Sequence, residues 1–146
     1  MAKIAFASDH AGFPLKQELK NYIQDLGHEV TDLGTDSEES VDYPDFGFAI
    51  GNALTGGNAD VGIIVCGTGI GISIAANRNP AVRAALCHDG LTARMARQHN
   101  DANVLALGAR VTGIETAKDC VVAFLTTEFE GGRHARRVAK LDTSGN

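Results

Sequence analysis

The 146-residue sequence has no excess of positive charge and no long apolar run. Its formal net charge is -5 at pH 7, which argues against general nucleic-acid binding, because that function needs a basic surface. No apolar segment approaches the roughly 20 residues that a membrane-spanning helix requires. Basic residues are nevertheless concentrated near the C-terminus, at Arg133, Arg136, Arg137 and Lys140. The sequence therefore leaves room for a small acidic ligand, but not for nucleic acid or a membrane.

The sequence also lacks the paired cysteines and histidines that are typical of redox and metal sites. Its three cysteines are Cys66, Cys87 and Cys120. They form no CxxC pair and are odd in number, so we predict reduced thiols in a cytoplasmic protein without a signal peptide. His28, His88 and His134 have no partner ligand at helical or CxxC-type spacing. We therefore predict no metal site.

Strand-like and helix-like patterns alternate five times, without a linker, a repeat or a low-complexity tract. Parallel strands joined by helices form a sheet that is covered on both faces. We predict a single α/β domain over residues 1–146, a three-layer α/β/α Rossmann-like fold with a five-stranded parallel sheet and a frayed end at 142–146. Asp89 is the expected cap of the fourth helix, and Thr112 with Glu115 the expected capping box of the fifth. The predicted strands are 4–7, 29–33, 61–65, 83–87 and 104–107.

Residues 61–73 hold the most informative pattern. An apolar run over 61–65 predicts a buried parallel strand, and Cys66 follows it at the start of a glycine-rich loop, residues 67–71. Alternate glycines let the backbone approach an anion closely, and the helix that follows would direct free N–H groups at it. The loop lacks the Gly-Lys-Ser/Thr of a P-loop, and Ile72 replaces the third glycine of a dinucleotide fingerprint. The anion is therefore either an oxyanion or a phosphate.

Cys66 is either a base or a nucleophile in this interpretation, since a helix N-terminus and glycine N–H groups favour a thiolate. The structural alternatives are an inert buried thiol and a tight turn without a ligand. Asp9, His10 and Tyr43 should lie at the same edge of the sheet, where ligands bind in such folds. Asp9 is either a helix cap or a ligand contact, Tyr43 either a half-buried aromatic or a contact. His10 is better explained as a contact to a hydroxyl or a phosphate.

His99 and Asn100 should lie at the opposite edge of the sheet from Cys66. They follow the fourth helix, whose ten residues span about 15 Å. His99 is therefore either a surface histidine or part of a neighbouring subunit's site. Arg133 and Arg137 are four apart and share a helix face, which is either a solvated basic face or a phosphate clamp.

Six short stretches follow one another in order over nearly the whole chain. They are Ser-Asp-His-Ala-Gly-Phe at 8–13, Asp-Tyr-Pro at 42–44, Cys-Gly-Thr-Gly-Ile-Gly-Ile-Ser-Ile-Ala-Ala-Asn at 66–77, Arg-Gln-His-Asn-Asp at 97–101, Asn-Val-Leu-Ala-Leu-Gly at 103–108 and Glu-Gly-Gly-Arg-His at 130–134. In this combination the sequence resembles the RpiB/LacA/LacB family of sugar-phosphate isomerases.

This resemblance implies an aldose–ketose isomerase that interconverts ribose 5-phosphate and ribulose 5-phosphate without a metal or an organic cofactor. It implies that Cys66 is the base that moves a proton between C1 and C2, and that His99 opens the sugar ring as an acid. Thr68 and the N–H groups of 67–71 would stabilise the oxyanion. Some family members use a glutamate in this loop, but Ile72 and Ser73 leave Cys66 as the only base here. The implied substrate contacts are Asp9, His10, Tyr43, Gly67, Gly69, Ile70, Gly71, Asn100, Arg110, Arg133 and Arg137.

The resemblance also implies a homodimer with shared sites, in which His99 acts in the partner's site. Whether dimers pair into tetramers stays open. Within the same class, allose 6-phosphate and galactose 6-phosphate are alternative substrates. A phosphate-binding regulatory module would need the loop but neither the thiol nor the histidine. A hydrolase or phosphatase with Cys66 as nucleophile is a third alternative, although the HCx5R signature of cysteine phosphatases is absent.

Overall fold

The structure is a computed structural model that describes residues 2–142. Its five strands are all parallel and lie in the order β2-β1-β3-β5-β4. The predicted fold class is confirmed. The strands are β1 (Lys3–Ser8), β2 (Glu29–Asp32), β3 (Val61–Cys66), β4 (Ala84–Leu86) and β5 (Val104–Gly108). The helices are α1 (Phe13–Asp25), α2 (Tyr43–Thr55), α3 (Ile70–Asn77), α4 (Gly90–Asn100), α5 (Ile114–Thr126) and α6 (Arg133–Asp142).

Alternate side chains of the central strands enter two hydrophobic cores. Ile63 and Val65 of β3 pack in the core with α1, α4 and α5. Ile64 and Cys66 belong to the core on the other face, with α2 and α3. Because successive strand residues point to opposite faces, the strand period of two places the Cys66 side chain in the α2–α3 layer. Both of these helices begin at the carboxyl edge of the sheet, where β3 ends.

The start of α5 differs from the prediction. Gly113 is its N-cap, and no side chain caps the helix. The backbone N–H of Thr112 donates to Gly108 O at 2.9 Å, and Thr112 Oγ1 is buried without a hydrogen-bond partner. The capping box over Thr112 and Glu115 is therefore wrong, because the turn after β5 includes Thr112 and delays the helix. Asp89 caps α4 as predicted, its Oδ1 accepting from the Thr92 N–H at 2.7 Å.

The basic segment near the C-terminus is α6, which packs against α4. The Oδ1 atom of Asp142, the last residue of α6, lies 3.3 Å from Arg83 Nη1. The frayed end was predicted over 142–146; of these residues, Asp142 is the last residue of α6, and 143–146 lie outside the described residues. Within residues 2–142, no helix combines the length and the apolar character that crossing a bilayer requires.

A buried ion pair ties α1 to the end of β2. Lys16 is fully buried, and its Nζ donates to Asp32 Oδ1 at 2.6 Å. Lys20 Nζ donates to the other carboxylate oxygen at 2.9 Å, and the Gly34 N–H donates to Oδ1 at 2.9 Å. Burial alone would raise the pKa of Asp32, but these hydrogen bonds outweigh it and lower that pKa. The pair thus fixes the start of the loop that leads to α2.

We predict that Asp32→Asn lowers the free energy of unfolding by about 3 kcal/mol near pH 7, because it leaves the buried Lys16 charge without a carboxylate. The pKa of Asp32 is lower in the folded than in the unfolded state. Its contribution is therefore present above the ordinary aspartate pKa and disappears as the pH falls through the folded-state pKa. Urea denaturation at neutral and acidic pH measures both effects. Asp25→Asn, at the exposed end of α1, is the matched control, and a loss that did not shrink in acid would contradict the charge explanation.

Candidate active site

Cys66 ends β3 directly below a backbone donor. The Gly69 N–H donates to Cys66 Sγ at 3.1 Å. Gly69 has φ 80°, a left-handed conformation that turns the loop back toward the sulfur. A donor in this place stabilises negative charge on the sulfur. Burial raises the pKa of Cys87 to about 11 and that of Cys120 to about 12, so these two thiols stay protonated at neutral pH.

Hydrogen bonds within the loop reduce the number of N–H groups that could bind an oxyanion. Two of its N–H groups already have acceptors, since Gly69 donates to Cys66 and Ile70 donates to Thr68 Oγ1 at 3.2 Å. Gly67, Thr68 and Gly71 remain as the candidate donors to a substrate oxygen. Gly71 lies in the first turn of α3, where N–H groups have no acceptor within the helix. The Thr68 side chain is exposed, and its hydroxyl can donate while its oxygen accepts.

Tyr43 and Arg110 lie against the same loop. A Cβ atom on Gly71 would come within 2.5 Å of Tyr43 Cε1, and one on Gly67 within 3.1 Å of Arg110 Nη1. The backbone N–H of Arg110 also donates to Gly67 O at 2.9 Å. Both side chains are exposed. The loop is therefore bordered by an aromatic ring and a guanidinium group that face solvent.

Asp9 and His10 follow β1 at this edge. The Asp9 N–H donates to Val65 O at 3.2 Å, next to Cys66. Asp9 is buried, and its Oδ1 accepts from the Gly12 N–H at 3.0 Å, so one carboxylate oxygen stabilises the turn before α1. His10 Nδ1 accepts from the Val41 N–H at 3.1 Å. The neutral imidazole therefore carries its proton on Nε2, from which it can donate to a ligand.

His99, Asn100 and Arg137 lie at the other edge of the sheet. Asn100 ends α4 just before β5 begins, whereas Cys66 pairs with Gly108 at the far end of β5. The five residues of β5 separate the two edges by roughly 16 Å. The structure thus brings the candidate residues together as two clusters, one around Cys66 and one around His99, and not as one.

His134 is a member of the second cluster that sequence reasoning missed. Its ring stacks on that of His99, with centroids 4.3 Å apart and planes at 13°. Burial lowers the pKa of His134, and the charges of His99 and Arg133 lower it further. The only signal for this cluster in the sequence is that Glu130 and His134 are four residues apart, because His99 lies on α4, which is distant in the chain. A surface cavity of about 340 Å³ is lined by His99, Asn100, His134, Arg137, Val138 and Leu141.

A network of arginines holds the end of α4. Asp101 has φ 45°, and its Oδ1 accepts from Arg97 Nη1 at 2.9 Å. Arg83 Nε donates to Asp101 O at 2.9 Å, and its Nη2 donates to Oδ2 at 3.4 Å. These contacts fix the chain immediately after His99 and Asn100. Sequence reasoning did not identify this positioning network.

Comparison with known proteins places the chain in a family. The family model for Ribose/Galactose Isomerase matches residues 4–141. The chain belongs to this family. Among its relatives is ribose-5-phosphate isomerase B of Escherichia coli, 51% identical over 141 residues, which cover 97% of this chain and 95% of that protein. Another is D-erythrulose-4-phosphate isomerase of Pectobacterium atrosepticum, 44% identical over 97% of this chain and 93% of that protein.

Solved structures of the ribose/galactose isomerase family have the same fold. Ribose-5-phosphate isomerase B of Clostridium thermocellum matches with a TM-score of 0.95 at 53% identity, over 97% of this chain and 95% of that one. A ribose 5-phosphate isomerase of Thermotoga maritima matches with a TM-score of 0.95 at 54% identity, over 97% of this chain and 98% of that one.

We predict that Gly69→Ala destabilises the protein by about 2–4 kcal/mol, because it combines left-handed strain with a new side chain in a packed site. Its Cβ would lie 2.5 Å from Leu86 Cδ1 and 2.9 Å from the Leu107 carbonyl carbon. Under native conditions, Cys66 should also react several times more slowly with iodoacetamide, because the N–H donor moves away from its sulfur.

Gly57→Ala is the matched control for this variant. Gly57 has φ 75°, but a Cβ atom there would meet nothing within 4 Å. The control carries only the backbone strain, about 1 kcal/mol, and should leave the alkylation rate unchanged. Peptide mass spectrometry after timed alkylation measures the rate at Cys66. Equal rates in Gly69→Ala and the wild type would refute the role of the Gly69 N–H.

Proposed function

We propose that this protein is an aldose–ketose isomerase that interconverts D-ribose 5-phosphate and D-ribulose 5-phosphate, in the non-oxidative pentose phosphate pathway. The observation that carries the proposal is the Cys66 thiol beneath the Gly69 N–H, beside a loop with further donors. This arrangement offers a base and an oxyanion site next to each other. The name of the E. coli relative, with 51% identity, supports the same reaction.

The chemistry needs only a base, an oxyanion site and proton transfers between oxygens. The Cys66 thiolate takes the proton from C2 of the open-chain aldose, and negative charge moves to O1. Donors from Gly67, Thr68 and Gly71 stabilise this enediolate. The thiol then gives the proton to C1, while O2 loses a proton and O1 gains one, so that the ketose forms and the thiolate is restored. The proposal includes no metal and no organic cofactor.

The phosphate dianion is assigned to arginines. Arg110 borders the loop, and Arg133 and Arg137 of the partner subunit complete the clamp, since guanidinium groups bind phosphate through two parallel hydrogen bonds. Asp9, His10 and Tyr43 bind sugar hydroxyls, with His10 donating from Nε2. Binding energy from the phosphate, which lies away from the reacting carbons, can be used to orient C1 and C2 at the Cys66 thiol.

The site requires a homodimer in this proposal. His99 and Asn100 of the partner subunit would reach the Cys66 cluster, because within one subunit the sheet separates them. An apolar strip on α3 supports such contact: Ile70 and Ile74 lie one turn apart next to the loop and are 53% and 61% exposed. In a two-fold symmetric dimer that covers this strip, each subunit would bring its His99 cluster to the Cys66 cluster of the other subunit. The three free thiols also support a cytoplasmic location.

The sugar specificity needs a direct comparison. The family description includes galactose, and the P. atrosepticum relative is named for a four-carbon substrate. Isomerisation of a related sugar phosphate, such as allose 6-phosphate or galactose 6-phosphate, is therefore the second candidate. The decisive experiment is a kcat/KM comparison across ribose 5-phosphate, these two hexose phosphates and erythrose 4-phosphate, with and without EDTA. A higher value for any other sugar than for ribose 5-phosphate would overturn the assignment.

We predict that Cys66→Ala lowers kcat by at least about 100-fold, the lower end of what a positioned base contributes. The fold and ligand binding should persist, since the change removes one sulfur at the edge of the core. Circular dichroism and titration with ribose 5-phosphate check this. Cys87→Ala is the control, because its thiol is also buried at a strand end but lacks the loop donor. Activity of Cys66→Ala within tenfold of the wild type would exclude Cys66 as the base.

We predict that His99→Asn lowers kcat/KM for ribose 5-phosphate by about 100-fold, the lower end of what a positioned acid contributes. It should change kcat/KM for D-erythrose 4-phosphate by less than about threefold, because that sugar carries its phosphate on O4 and cannot close a furanose ring. Steady-state kinetics with both sugars measure the contrast. Equal losses for the two would assign His99 a role other than ring opening.

The shared site can be tested with the same two variants. When Cys66→Ala and His99→Asn subunits exchange at random, half of the dimers are mixed, and each mixed dimer holds one intact site. Activity should therefore recover to about a quarter of the wild-type value. Mass spectrometry of the intact dimers monitors exchange. Complete exchange without recovery would show that each site lies within one subunit.

A further inference from the structure

His99, Glu130 and His134 bring three metal-ligand groups to one place. Among residues 2–142, each of these side chains offers one ligand atom, and the three atoms lie within 4.8 Å of one another. Glu130 Oε1 is 3.5 Å from His134 Nε2 and 4.0 Å from His99 Nε2. The ligand atoms around a tetrahedral zinc ion are about 3.3 Å apart. Side-chain movements of about 1 Å, together with a turn of one imidazole ring, would therefore complete the geometry.

His134 provides a second, independent indication of a ligand. Its side chain is 7% exposed, and its Nε2 is buried without a hydrogen-bond partner within the described chain. A buried polar atom of this kind is unfavourable unless something binds it. The 3.5 Å contact with Glu130 is too long for a hydrogen bond, so the carboxylate does not satisfy the ring.

We propose that His99, Glu130 and His134 reversibly bind a zinc ion and that this ion inhibits the enzyme. Two imidazoles and a carboxylate are a donor set that suits zinc and related transition metals, and not magnesium or calcium. His99 and His134 line the cavity of about 340 Å³, from which a water molecule would take the fourth position. Zinc on His99 Nε2 replaces the proton that ring opening needs. Inhibition therefore rests on the proposed function, whereas binding of the ion does not.

The surroundings predict moderate affinity for the ion. The two stacked imidazole planes lie at 13°, so an ion in the plane of one ring is not in the plane of the other, and one ring must turn to share it. His99 is the ring that turns, because its side chain is 32% exposed at the end of α4. The charges of Arg133 and Arg137 reach His134 and oppose a dication, while Glu130 favours it. The site should therefore release its ion to EDTA.

Cobalt(II) is the probe for the site, because it takes the place of zinc and its absorption bands report the ligands. Titration of the EDTA-treated dimer should produce the visible bands of a four-coordinate nitrogen–oxygen site, and zinc should abolish them. Cys66→Ala should keep these bands, which shows that the thiol is not the ligand. Loss of the bands in Cys66→Ala, or a thiolate charge-transfer band in the wild type, would overturn the assignment.

Glu130→Gln identifies the carboxylate ligand, with Glu128→Gln as the matched control. Glu128 is exposed in the same segment and does not belong to the group. The zinc dissociation constant, measured by competition with a chromophoric chelator, should rise at least tenfold in Glu130→Gln and stay unchanged in Glu128→Gln. The zinc concentration that halves ribose 5-phosphate turnover should rise by the same factor. Unchanged binding in Glu130→Gln would refute the site, and binding without inhibition would refute the inhibitory role alone.

Discussion

The close approach of backbone to backbone at the end of β3 is the constraint on which the candidate site depends. Gly69 bends the chain so that its N–H meets the Cys66 sulfur, and the turn fits only because Gly108 of β5 faces Thr68 without a side chain. A Cβ atom on Gly108 would lie 2.5 Å from Thr68 O. The donor, the thiol and the start of α3 therefore occupy positions that the packing of two neighbouring strands determines.

The fold and the Cys66 cluster could be predicted from sequence because their signals are local. Apolar runs, turn glycines and the Asp89 cap each act within a few residues, and the carboxyl edge of a parallel sheet then collects the loops. The prediction was wrong at Thr112, where a hydrogen bond from its backbone to Gly108 competes with capping. Local sequence pattern alone does not show whether Thr112 caps α5 or belongs to the turn after β5.

The contacts of the His99 cluster could not be predicted from the sequence. The stacking of His99 on His134 joins the end of α4 to the start of α6, and the contact of Asp101 with Arg83 joins segments that are distant in the chain. Neither contact has a fixed spacing. Sequence could place His99 at the amino edge because topology decides that position, but it could not show what surrounds the ring.

The distance between the two edges of the sheet makes the proposed activity depend on enzyme concentration. In the proposed dimer, each chain carries the base of one site and the acid of another, so a lone subunit holds two incomplete halves. Far below the dimer dissociation constant, the remaining activity would then be proportional to the square of the subunit concentration, although every chain stays folded. In this proposal, a strand length of roughly 16 Å would link catalysis to how much of the protein a cell maintains.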